Sequence, residues 1–186
     1  MNLKIITSTT RPGRHGSAVA KWVHALASQQ SGMNVELLDL SEINLPLLDE
    51  PNHPRLGQYQ HQHTKAWSAK IAEADAFIIV LAEYNYGFPA PIKNAIDYLF
   101  KEWAYKPVGI VSYGGVSGGL RSAQMLKQVV TTLHMMPLNP SVTIQFVAQY
   151  INAEGEFVPD DAHVAAAGTL FAELNKWAQA LKTIRA

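Results

Sequence analysis

The sequence predicts a doubly wound, three-layer α/β/α sandwich on a five-stranded parallel sheet, and three observations predict it. Short apolar runs recur along the chain, and three of them are apolar almost without interruption. Stretches with helical spacing of apolar residues separate the runs. No linker, internal repeat or low-complexity segment interrupts the pattern, so residues 1–186 read as one domain, within the prior of roughly 100–200 residues each.

The strands come first. Leu3–Thr7, Val35–Leu40, Phe77–Leu81 and Val108–Ser112 are short and apolar, with Val142–Phe146 as a weaker fifth. Near-continuous apolar strands need cover on both faces, which a parallel sheet between two helical layers supplies. Val19, Trp22, Val23 and Leu26 share one face of a helix that begins near Ser17. A shorter helix over Lys65–Ala74 turns Trp67 and Ile71 inward. Ile92, Ala95, Ile96, Leu99 and Trp103 line the next, with Pro91 suited to its first turn. Leu120, Ala123, Leu126, Val130 and Leu133 form another stripe. Val164, Ala167, Phe171, Leu174, Ala178 and Leu181 form the last, after an acidic entry at Asp160–Asp161 that suits a helix N-terminus. Strand–helix alternation of this kind folds through right-handed crossovers.

Composition narrows the function. Lys plus Arg and Asp plus Glu both number 15, which offers no electrostatic case for nucleic acid or an anionic membrane. The chain has no cysteine, which excludes disulfides, thiolate metal sites and Cys nucleophiles. With no signal-peptide pattern and no apolar run near the ~18 residues of a membrane span, a cytoplasmic protein is expected. His53, His61 and His63 sit in a loop with no matched carboxylate in the sequence pattern, so no metal is expected there. Trp22, Trp103 and Trp177 lie on apolar stripes and read as core or interface.

Three loops leave strand ends where an open α/β sheet binds its ligands. The first, Ser8–Ser17, joins hydroxyls, glycines, Arg11 and Arg14 to a helix N-terminus, a setting that favours an anion such as phosphate. The plain alternative is a helix cap, which Ser17 alone would provide. It is neither a Walker A loop nor a G-x-G-x-x-G fingerprint. The second, Glu83–Pro91, is aromatic-rich and offers a flat wall for a planar heterocycle. Its alternative is a turn whose rings complete the core. The third, Ser112–Gly119, has four glycines in Gly114, Gly115, Gly118 and Gly119, which bare the backbone for close approach. A flexible connection is the alternative there. The longest irregular stretch, Leu45–His63, is long enough to be functional or part of an oligomer contact.

These residues resemble the NADPH-dependent FMN reductase family. Glu83-Tyr84-Asn85, Pro89 and Lys93-Asn94-Ala95-Ile96-Asp97 look like its P-E-Y-N-x-x-x-P-x-x-L-K-N-A-I-D signature. Ser112-Tyr113-Gly114-Gly115 with Gly118-Gly119 is similar to its flavin loop, and Thr9 and Arg11 match its G-S-x-R phosphate motif. Ser8, Ala82, Val19 and Ile92 depart from the usual Gly, Pro, Asn and Leu. The resemblance runs from the first strand through the last helical stripe.

It implies a flavodoxin-like fold and an NAD(P)H-dependent reductase carrying FMN, with NADPH or NADH as donor. Thr9, Arg11 and Ser17 would hold the phosphate. Glu83, Tyr84, Asn85 and Tyr86 would line the isoalloxazine, and Ser112, Gly114 and Gly115 would cover its pyrimidine end. No dedicated catalytic acid or base is expected, because flavin carries the chemistry. The acceptor would be FMN, a quinone or another small molecule, and the protein a homodimer or homotetramer. A contact through Leu99, Phe100 and Trp103 is one route to such an oligomer. Two alternatives stay open: an FMN-binding electron carrier without nicotinamide turnover, and a phosphate-binding or hydrolytic domain. No nucleophile-elbow pattern favours hydrolysis.

Overall fold

The computed structural model describes residues 1–185. Six strands form, β1 (Asn2–Thr7), β2 (Asn34–Asp39), β3 (Ala76–Ala82), β4 (Pro107–Tyr113), β5 (Met136–Pro137) and β6 (Val142–Ile144). They alternate with α1 (Gly16–Ser28), α2 (Leu40–Ile43), α3 (Gln62–Ala72), α4 (Ala90–Asp97), α5 (Leu120–Thr131) and α6 (Asp161–Lys182). The sheet order is β2-β1-β3-β4-β5, with β6 also on β4, and every pairing is parallel. This is the flavodoxin-like order, whose switch point lies between β1 and β3.

Both faces of the sheet are covered, as the apolar runs demand; every residue of β3 and β4 is buried. Leu3, Ile5, Ile78, Val80 and Val111 pack under Val19 and Val23 of α1 and Leu170 and Phe171 of α6. On the other face Ile6, Phe77, Ile79 and Ile110 meet Trp67 of α3, Ile92 and Ile96 of α4, and Leu126 of α5. The acidic entry to α6 is a capping box, in which Asp160 accepts from the His163 N–H at 2.8 Å.

Two expectations need correction. The fifth strand position is split: β5 and β6 both pair with β4, and the chain leaves the ladder between them around Pro140, which has no N–H to give. The helix expected to reach Trp103 stops at Asp97, and Trp103 lies in a separate 3-10 turn, Lys101–Trp103. The stripe persisted because that turn folds back onto the same core. The Trp103 indole N–H donates to Ile96 O at 3.1 Å, and the Trp67 indole N–H donates to Ala95 O at 2.8 Å. Two buried rings thus donate to carbonyls at the end of α4, of which Ile96 O also accepts from Leu99 N at 3.3 Å.

Trp103→Ala should therefore cost about 3–5 kcal/mol of stability. The measurement is a urea midpoint that falls at an unchanged m-value.

Candidate functional site

Loops from the C-terminal ends of β1, β3 and β4 meet beside the switch point. Backbone bonds set their spacing. Ser8 N donates to Val80 O at 3.1 Å, and Glu83 N to Tyr113 O at 3.2 Å. Ser8 is fully buried, and its hydroxyl accepts from Ala82 N at 3.4 Å. Ser122 of α5 donates to Ala82 O at 2.8 Å.

The first loop presents an unspent set of donors. The N–H groups of Thr10, Arg11, His15, Gly16 and Ser17 meet no protein acceptor among the described residues. Ser17 is not the cap: His15 occupies that position without a side-chain cap bond, and Ser17 Oγ lies 3.5 Å from Arg14 O. The two arginines differ. Arg14 is bound to Asp39 at the end of β2, at 2.7 Å, whereas the exposed Arg11 guanidinium hydrogen-bonds, among the described residues, only to Pro12 O, at 3.4 Å. Thr9 lies deeper than expected, fully buried, with Oγ1 3.4 Å from Tyr113 Oη. Above this pair sits Gly16, where an added Cβ would stand 2.5 Å from Tyr113 Oη and 2.7 Å from Thr9 Oγ1. Burial pushes the Tyr113 phenol up to about 12, against the opposing hydrogen bond with Thr9, so it stays a donor at neutral pH.

The second loop is a tight turn. Tyr84 and Gly87 exchange both backbone bonds at 2.9 Å, while Asn85 and Tyr86 take φ of 51° and 71°. A type I′ turn needs positive φ at both central positions; a tyrosine there costs roughly 1–2 kcal/mol. The rings do not complete the core. Tyr84 is 40% exposed and Tyr86 65%. Glu83 faces inward instead, accepting from Arg121 N at 3.1 Å and Arg121 Nη1 at 2.8 Å. Burial raises its carboxyl, but hydrogen bonds from Ser117 and Arg121 outweigh that and hold it below the usual range. The same guanidinium lies 4.0 Å from the centre of the Tyr86 ring. Arg121 was missed in the sequence. Its signal was a cation in a first helical turn, which opposes the dipole unless it has partners.

In the third loop, Gly118 and Gly119 have φ of 59° and 83°, and a Cβ on Gly119 would sit 2.8 Å from the Tyr113 backbone. Those two glycines serve the turn. Gly115 is different: it faces open space, and the N–H groups of Gly115, Val116 and Ser117 meet no protein acceptor among the described residues. Gly114 packs against Gly119 and donates to Ile144 O. Ser112 is not on this surface; it is buried in β4, its hydroxyl unpartnered.

The signature residue Asn94 has a structural task. It accepts from Leu48 N at 2.9 Å and donates to Pro46 O at 2.7 Å, pinning the long 45–63 loop to α4. Lys93 and Asp97 pair at 2.5 Å, as their spacing predicts. A cavity of about 330 Å³ opens between this loop, Thr10 and Pro91. A larger one, about 840 Å³, lies at the opposite ends of β3 and β4, around Asp75 and Lys106, away from the strand ends that bind ligands. The histidines do have a carboxylate neighbour: His63 Nε2 lies 2.9 Å from Asp49 Oδ1. Among the described residues no three His, Asp or Glu groups converge as a metal site would require.

The contrast between two glycines is testable. Gly16→Ala should lower stability by about 1–3 kcal/mol despite better helix propensity, while Gly115→Ala should stay within about 0.5 kcal/mol of the parent. Thermal melts of both variants make the comparison.

Comparisons with known proteins identify the family. The model of the NADPH-dependent FMN reductase family matches residues 1–149, ending ahead of α6 and so short of the full extent expected. An NAD(P)H-dependent FMN reductase of Schizosaccharomyces pombe is 41% identical over 144 residues, 75% of this chain and 72% of that protein. An NADPH:quinone oxidoreductase of Arabidopsis thaliana is 35% identical over 135 residues, 69% and 67% of the two chains. The flavoenzyme NAD(P)H:(acceptor) oxidoreductase of Paracoccus denitrificans superposes with a TM-score of 0.72 at 20% identity, covering 98% and 97%. With the E-Y-N turn, the open glycine loop and the donor-rich first loop gathered at one switch point, the chain belongs to the NADPH-dependent FMN reductase family.

Proposed function

We propose that these loops hold FMN and that the protein is an NAD(P)H-dependent reductase of FMN, quinones or related small acceptors. One observation carries the reading. Five N–H groups of the first loop and the first turn of α1 have no protein acceptor among the described residues, beside a glycine that admits no side chain. Such a donor set fits a phosphate monoester, since the helix dipole and amides favour an anion there.

Arg11 would add permanent charge to the phosphate and Ser17 a hydroxyl, with Thr9 supporting from below. Tyr84, Asn85 and Tyr86 would flank the isoalloxazine. Gly115 would leave space against its pyrimidine edge, with Gly114 packed against Gly119, Ser112 behind and Glu83 bracing the turn. When bound, FMN would supply two-electron redox chemistry between NADPH or NADH and the acceptor. The chain's contribution is positioning and charge. Unpaired amides at Gly115, Val116 and Ser117 are suited to stabilise negative charge without a dedicated acid or base.

The reading extends to a cytoplasmic homodimer or homotetramer. Leu99 and Trp103 cannot be the contact, because both are buried in the chain's own core. Leu47, Leu48 and Leu56 of the 45–63 loop support a different interface, at 83%, 41% and 57% exposed.

Purified protein, as isolated or after FMN addition, should show flavin absorbance that NADPH or NADH bleaches; colourless protein that cannot be reconstituted contradicts the proposal. Arg11→Ala should weaken FMN binding by about 1.5–3 kcal/mol, roughly tenfold to a hundredfold, in a fluorescence titration. Leu47→Asp combined with Leu56→Asp should reduce the light-scattering mass to that of one chain. Parent and variant of equal mass would remove that interface.

A further inference from the structure

We propose that Tyr113 is a positioning residue that makes the site select a phosphorylated flavin over its unphosphorylated form, acting through the Thr9 hydroxyl beneath the first turn of α1. The inference rests on the FMN reading above and assigns a residue to its selectivity.

Tyr113 ends β4, the strand whose loop would cover the ring, yet its hydroxyl reaches the loop after β1. Both hydroxyls are buried, and among the described residues their only polar contact is with each other, at 3.4 Å. That is long for two hydroxyls, whose usual separation is about 2.7–2.8 Å. Each can donate once and accept twice, so the pair retains capacity that buried polar groups normally spend. Core packing alone gives no reason for the hydroxyl, since phenylalanine would fill the same apolar cluster without the desolvation cost. Directly above, Gly16 has no side chain to separate the hydroxyls from the first turn, and the Gly16 and Ser17 N–H groups have no acceptor among the described residues. Every unspent group here is a donor or can act as one. An anion is the ligand class that uses such a set.

The test compares FMN with riboflavin, which share the ring and differ by the phosphate. Apo-protein is titrated with each, and quenching of flavin fluorescence gives the affinities. Tyr113→Phe should weaken FMN about tenfold, the scale of the hydrogen bond to a charged group that a misplaced Thr9 would lose, and leave riboflavin within about twofold and the apo-protein melting temperature no lower. In a Thr9→Val background the same change should add less than about twofold, because coupled residues are not additive. Equal losses for both flavins would make Tyr113 a packing residue and overturn the inference. So would unchanged FMN affinity, or a full second tenfold loss in the Thr9→Val background. A parent protein that binds neither flavin would overturn the FMN reading itself, a result distinct from each of these.

Discussion

The first turn of α1 can rest on the ends of β1 and β4 only because residue 16 carries no side chain. Any Cβ there would enter the space of the Thr9 and Tyr113 hydroxyls. This close approach places a helix N-terminus, with its partial positive charge and unpaired N–H groups, against the switch point of the sheet. The remainder of the site follows from it. The loop before the helix must run as an open coil with amides unspent, and the loops from β3 and β4 must close around it.

Those loops are braced from the far side. Glu83 looked from the sequence like a ring-lining residue, yet its carboxylate is committed to the N-terminus of α5 and to Arg121. Arg121 in turn lies over Tyr86, whose backbone sits in a strained left-handed conformation. Strain of this kind persists where surroundings over-determine it, and it gathers at binding sites. The exposed rings of Tyr84 and Tyr86 thus stand on a rigid support. Asn94 performs the equivalent task for the 45–63 loop, so two residues of the family signature, Glu83 and Asn94, hold loops in place.

The fold was legible because its signal is a period. Strands buried on both faces show as unbroken apolar runs, and helices show as stripes with helical spacing. The two errors arose where period and geometry part. Trp103 kept the helical spacing while lying in a separate turn, because a residue that folds back onto the same core obeys the same pattern. The last sheet position looked like one strand because Val142 and Ile144 alternate inward, and nothing in that window reveals that Met136–Pro137 also reaches β4. Within the site, the loops were legible by composition, but the division of labour inside them was not. Thr9 and Ser112 look like ligands in a motif and lie beneath the surface, and Arg121 belongs to none of the loop motifs. Such distinctions depend on which way a side chain faces, and a residue type does not encode that.

Amide hydrogen exchange with and without FMN tests the central claim most directly, because it reports on the N–H groups that carry it. Binding should slow exchange most strongly over residues 9–18, with weaker protection at 84–86 and 114–118. Protection centred elsewhere, such as the cavity beside Lys106, with residues 9–18 exchanging as in the apo-protein, would contradict the account.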